Sequence, residues 1–165
     1  MHLFLALSTV FAAWKWGDWR NWKQYHPTML YITSGGMLYE YLTHDRNLWV
    51  FNPDFLYNQK VTVLIYAILT MPLNVLLYLS TMPRNSKLKM IRHILLWIGI
   101  YAVTEWLLQY FNRIDYAYGW TFWYSVLFDC IMFPMLLLHH RKPAAAYLLS
   151  IFIIWFLMFM FQIKL

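Results

Sequence analysis

Glu40, Glu105 and Asp129 stand in stretches of sequence that are otherwise apolar enough to cross a membrane. A charge at the centre of a bilayer costs at least ~2.5 kcal/mol even on the most lenient insertion scale, so such residues usually face a polar interior, a partner or a substrate. Two chemistries fit. One is a site for a cation, a proton or a small cationic solute. The other is structural: each acid is neutral or hydrogen-bonded to Tyr, Trp, Asn or Gln and fixes helix register. No Lys or Arg lies at comparable depth to neutralise Glu105 or Asp129, which keeps the first reading open.

Helical spacing gathers the surrounding polar residues into seams, because positions three or four apart share a face. Thr33, Gly36, Glu40 and His44 form one seam, and Tyr66, Thr70, Asn74 and Tyr78 a second. Tyr101, Glu105, Gln109 and Asn112 form a third, and Thr121, Ser125 and Asp129 a fourth. In hydrocarbon these seams are expected to converge on the bundle interior. The rise per residue puts Asp129 about 15 Å below the outer surface, near the midplane, with Glu105 roughly two turns down and Glu40 about one. The expected site is an outward-opening polar pocket with Asp129 as floor, Glu105 as second anchor, and Asn74, Gln109, Ser125, Tyr101 and Glu40 completing it.

Other candidates are weaker. His139-His140-Arg141-Lys142 has a metal-like composition, yet adjacent helical positions point apart and no neighbouring Cys or acid completes a ligand set, so contact with anionic lipid is the better expectation. His26, His44 and His93 flank helices, where most histidines are simply solvated. Ser125 has no histidine placed to activate it, so nucleophilic catalysis is not expected. Gly35-Gly36 reads as a device for close helix approach. No cofactor and no metal is expected.

The elements that must position these groups follow from composition. Apolar residues make up 62% of the chain and charged residues 12%, with a net charge of +6. A water-soluble domain of this size cannot hide that much apolar surface. The basic residues do not form one patch, so nucleic acid is not an expected partner; they sit at the ends of apolar runs, as topology signals do. The single cysteine, Cys130, excludes an intrachain disulfide. The start of the chain lacks a basic n-region and a small-x-small cleavage site, and reads as a retained first helix or signal anchor.

Six apolar segments emerge, at about 3–16, 27–43, 61–81, 91–111, 120–139 and 144–163. The predicted fold is an all-α integral membrane bundle of six transmembrane helices, or five plus a shallow N-terminal one, forming a single polytopic domain over 1–165. Lys15, Arg20, Lys23, Arg84, Lys87, Lys89, Arg92, Arg141 and Lys142 fall in alternate connections (15–26, 82–93, 139–143), against Arg46, Lys60 and Arg113 in the others. The positive-inside rule then predicts the first set as cytoplasmic and both chain ends as extracytoplasmic. Trp14, Trp16, Trp19 and Trp22 read as an inner interfacial belt. Trp49, Phe51, Phe55, Tyr57, Tyr116, Tyr118, Trp120 and Trp123 read as the outer one. The prolines of the third and fifth segments (Pro72 and Pro83, Pro134 and Pro143) hint at a parallel repeat, with coincidence the favoured account.

Two blocks of sequence carry a resemblance. One is Ala13-Trp14-Lys15-Trp16-Gly17-Asp18-Trp19-Arg20-Asn21-Trp22 with Tyr25-His26-Pro27-Thr28. The other is Gly119-Trp120, Phe122-Trp123, Ser125, Phe128-Asp129, Met132-Phe133-Pro134 and Leu138-His139. They resemble a family of small multi-pass membrane proteins of endospore-forming Bacillota that has no assigned activity. The resemblance implies a bacterial plasma-membrane location, with counterparts of Glu105-Trp106 and Asp129 in relatives. Asparagine is frequent there in place of Glu40, and histidine in place of Tyr118. The functional expectation is therefore a protein that binds or moves a cation, proton or small cationic solute, acting in the lipid bilayer and as a homo-oligomer if it transports. The alternative is a structural or regulatory subunit of a membrane complex, whose polar residues only pack helices.

Overall fold

The structure is a computed structural model that describes residues 1–52 and 58–163. It is 78% helical. Six helices follow in order: α1 His2–Trp16, α2 Trp22–Leu42, α3 Gln59–Ser80, α4 Lys87–Tyr110, α5 Phe122–Arg141 and α6 Pro143–Met160. The last four are long and apolar enough to cross a membrane. Two three-residue strands, β1 Trp49–Phe51 and β2 Ile114–Tyr116, complete the chain.

Local chemistry sets the helix ends. The Asn58 side chain accepts from the Val61 N–H to start α3, and Ser86 accepts from Lys89 to start α4. Pro143 opens α6, where its missing N–H costs nothing. Asp18 caps the short 3-10 turn Trp19–Asn21 between α1 and α2. The predicted segments shift accordingly. The second helix begins at Trp22 rather than at 27, carrying Lys23, Gln24 and His26 in its polar first turns, with Pro27 inside it. The sixth stops at Met160 rather than at 163.

The helices run alternately, so the connections collect at two ends. At one end β1 pairs antiparallel with β2, Trp49 opposite Tyr116 and Phe51 opposite Ile114. The first and last helical ends lie there too. His2 Nε2 is 3.1 Å from the Asn52 carbonyl oxygen and 3.2 Å from that of Arg113, while Nδ1 is 3.0 Å from the Tyr66 hydroxyl. Two carbonyl partners make Nε2 the protonated nitrogen and leave Nδ1 to accept from Tyr66. Phe161 packs on Trp120. This is the sheet end. The opposite, basic end holds Asp18, where Tyr25 donates to its carboxylate at 3.2 Å, and the stacked rings of Tyr25 and His140.

The apolar pattern does not predict the strand pair. The pair also revises the outer aromatic belt. Trp120 is buried, Trp49 and Tyr116 are half-buried and turned into the molecule, and Phe51 packs on His2 and Tyr66. Tyr118 and Trp123 are exposed, as are Trp14, Trp16, Trp19 and Trp22 near the basic end. Phe55 and Tyr57 lie outside the described residues.

The core sits toward the basic end, where Tyr25, Leu76, Tyr78, Phe133 and Leu136 pack together. Tyr78 donates to the Phe133 carbonyl at 3.0 Å, joining α3 to α5, and His93 of α4 bonds the Tyr78 carbonyl at 3.0 Å. His93 is thus a partnered residue rather than a solvated one. His44 is exposed and lies 3.0 Å from the neighbouring Asp45 carboxylate.

Helix α3 changes winding midway. Residues Tyr66–Thr70 form a π turn, with i→i+5 hydrogen bonds. In that register the Ala67 carbonyl points at residue 72, and Pro72 has no N–H to offer. Thr33 of α2 supplies the missing donor, its hydroxyl 2.9 Å from the Ala67 oxygen. Gly36, one turn further along α2, makes this approach sterically feasible: a Cβ there would lie 3.3 Å from the Ala67 Cβ. Pro134, by contrast, sits in an uninterrupted α-helix. The two proline-bearing helices therefore differ in construction, which argues against a repeat.

Candidate functional site: a buried acid in a largely apolar cavity

The polar seams place several of the candidate residues around one cavity of about 800 Å³. Glu40, Thr70, Asn74, Tyr101, Glu105 and Asp129 all line it, from α2, α3, α4 and α5. Most of the wall is nevertheless apolar, built from leucines, isoleucines, methionines and aromatic rings. The expected polar pocket is instead an apolar chamber with a few polar groups, the composition of a site for a small organic molecule.

Glu105 is held by the sheet end. The Trp49 indole N–H donates to its Oε1 at 3.1 Å, and the Tyr116 hydroxyl donates to the same oxygen at 2.8 Å. The Trp49 N–H also lies 3.0 Å from Ser125 Oγ, which accepts from the Trp120 indole at 2.8 Å. Tyr39 anchors this strand from α2, its hydroxyl accepting from the backbone N–H groups of Leu48 and Trp49. Burial, then the neighbouring Glu105 charge, holds the Tyr116 hydroxyl well above the usual phenol range, so it stays a donor. Ser125 and Glu105 are thereby used in joining loops to helices. The tilted rings of Trp49 and Trp120, with centroids 4.4 Å apart, line the cavity toward the sheet end.

Asp129 is different. It is only 5% exposed, and its Oδ2 has no hydrogen-bond partner among the described residues. Thr70 Oγ1, across the same cavity, is also buried without a partner. Buried polar atoms are paired in the great majority of cases, so each orphan needs a reason. Asn74 Nδ2 donates to the Tyr101 hydroxyl at 3.0 Å, bridging α3 and α4 beside the cavity.

Gln109 departs from the expected set. It is exposed and does not line the cavity, and Ser125, buried against the Trp49 and Trp120 indoles, does not line it either. A row of every-fourth residues rotates by about 40° per step around a helix of 3.6 residues per turn, so by Gln109 the Tyr101 seam has turned outward. Asn112, past the end of α4 with a φ of 54°, is exposed as well.

The sequence reading missed three groups. Trp49 and Tyr116 fall in connections, where helical periodicity is silent. His139, read as interfacial, is buried: it stacks on Tyr31 at 4.2 Å and bonds the Thr28 hydroxyl through Nδ1 at 3.0 Å. Its signal was present in the spacing, since Asp129, Met132, Leu136 and His139 follow one face of α5. Among the described residues no group of three or more His, Cys, Asp or Glu is placed to hold a metal ion.

No family model matches this chain, and neither does any curated protein or solved structure.

Proposed function

We propose that this chain is a six-helix membrane protein that binds a small organic cation in its internal cavity, with Asp129 as the charge anchor. The observation that carries the reading is the Asp129 carboxylate: buried, without a donor on Oδ2 among the described residues, and on the wall of a cavity large enough for a ligand. An ammonium group on a solute supplies the missing countercharge, and a donor as well where it carries an N–H. Apolar and aromatic walls suit an organic body better than a bare metal ion, which needs several oxygen or nitrogen ligands. Thr70, Asn74 and Tyr101 add hydrogen-bonding capacity, and Glu105 adds a second carboxyl group to the same cavity wall.

Four long apolar helices support insertion in a bilayer. The first two helices complete six crossings in this reading, since His2 lies at the sheet end and Asp18 at the basic end. The basic end is cytoplasmic and both chain ends are extracytoplasmic, as the distribution of Lys and Arg favours. The resemblance to membrane proteins of endospore-forming Bacillota points to a bacterial plasma membrane. Transport, if it accompanies binding, calls for a homo-oligomer.

The rival reading is a structural subunit, and the capped state of Glu105 favours it for that residue. Binding of tetraethylammonium to the protein in lipid nanodiscs separates the two. Saturable binding that weakens at least tenfold in Asp129→Asn, with helicity and yield preserved, supports the site. Binding that is absent from the wild type, or equal in Asp129→Asn, favours the subunit.

A further inference from the structure

The cavity reaches the flank of the bundle between α2 and α6. Ser34, Gly35 and Leu38 of α2 line it, and so do Ile151 and Ile154 of α6. Several of these are also at the surface: Leu38 is 40% exposed, Ile151 is 65% exposed, and Ser34 and Gly35 are exposed too. A Cβ built on Gly35 meets nothing within 4 Å, so the gap is open at this point. Helix α6 packs against α5, and the hydrogen bond from Tyr31 to Ser150, at 2.6 Å, ties it to α2 nearer the basic end.

Depth is decisive. Counting from the basic end at 1.5 Å per residue, Gly35 lies about 20 Å up α2, Ile154 about 17 Å up α6 and Asp129 about 18 Å up α5. The opening and the unpartnered carboxylate are thus level with each other. Both lie in the middle of the apolar stretch, where the surroundings of a membrane-embedded bundle are lipid tails and not water. At the sheet end, meanwhile, Trp49 and Trp120 pack against each other on the cavity wall.

Resting on the cation-binding reading, we propose that the ligand is a single-chain cationic amphiphile, its charged head at Asp129 and its hydrocarbon chain passing between α2 and α6 into the bilayer. The apolar chamber alone can take the body of a compact cation. A lateral gap flanked by Leu38, Ile151 and Ile154 is what a chain needs. Charge complementarity fixes the head: Asp129, Glu105 and Glu40 bring carboxyl groups to the cavity wall, and no Lys, Arg or His is among its described lining residues.

The test compares octyltriethylammonium with tetraethylammonium, in nanodiscs of phosphatidylglycerol, which bring no amine-bearing lipid to compete. Binding to Asp129→Asn discs is subtracted to remove partition into the lipid. On the aqueous concentration scale, each added methylene of a buried chain is worth roughly fourfold, so the octyl compound is expected to bind on the order of a hundredfold or more tighter. Gly35→Trp and Ile151→Trp, which fill the gap from its two sides, should abolish most of that advantage, read in each variant as the ratio of the octyl to the tetraethyl affinity. Equal affinities for the two compounds in wild type, both dependent on Asp129, overturn the amphiphile and leave the cation site standing. An octyl advantage that both tryptophan variants retain also overturns it. Absence of Asp129-dependent binding for either compound defeats the site itself, and this inference with it.

Discussion

The sheet end and the middle of the bundle hold the same kind of residue in opposite conditions. Glu105 receives two hydrogen bonds, from Trp49 and Tyr116, both delivered by connections that fold back between the helices. Asp129, on the neighbouring helix, has a carboxylate oxygen that no donor among the described residues reaches. A paired buried acid contributes to cohesion, and removing it strands its donors. An unpaired one costs stability, and a chain that tolerates that cost gains a point of attraction for something from outside. Intramembrane acids are therefore not one class: their meaning depends on who donates to them.

Substitutions can break this contrast. Glu105→Leu strands the Tyr116 hydroxyl and weakens the hold on Trp49, and should destabilise by about 2 kcal/mol in unfolding from mild detergent. Asp129→Leu removes an unsatisfied group from an apolar wall and should raise stability by about 1 kcal/mol in the same assay. Were both variants destabilised alike, Asp129 would be a hidden structural residue and the contrast would vanish. Thr33→Val, which leaves the Ala67 carbonyl without its donor, should cost about 0.6 kcal/mol, the usual worth of a hydrogen bond between membrane helices.

The smallest effect lies outside the helices and calibrates the others. The Asn21 side chain beside Asp18 holds its carboxyl below the usual range. A depressed carboxyl stabilises the fold above its unfolded value near 3.8, and that contribution disappears as pH falls through the lower, folded value. Asn21→Ala should move the Asp18 titration, followed by NMR, back upward. It should leave cation binding untouched.

Much of the helical framework was legible because hydrocarbon thickness imposes a minimum run of apolar residues, and α3 to α6 meet it. The start of α2 was not, since Trp22, Lys23 and Gln24 continue the helix beyond the apolar part, where water satisfies polar side chains. The convergence of Glu105, Asp129, Asn74 and Tyr101 on one cavity followed from spacing alone. What decided their roles did not. Strands β1 and β2 are too short to announce themselves, and they exist only because two connections meet at one end. Trp49 and Trp120 looked like interfacial anchors because sequence reports that a residue borders the membrane, not which way its loop turns. Gln109 was misplaced by treating a drifting row as a straight one.

The π turn at Tyr66–Thr70 has a consequence for α3 as a whole. One additional residue in a turn advances everything beyond it by about 100°. The half that begins at Gln59 can therefore aim Tyr66 at His2 while the half ending at Ser80 independently aims Tyr78 at Phe133. Excising one residue from the turn would force the two halves into a common phase, and only one of those appointments could then be kept.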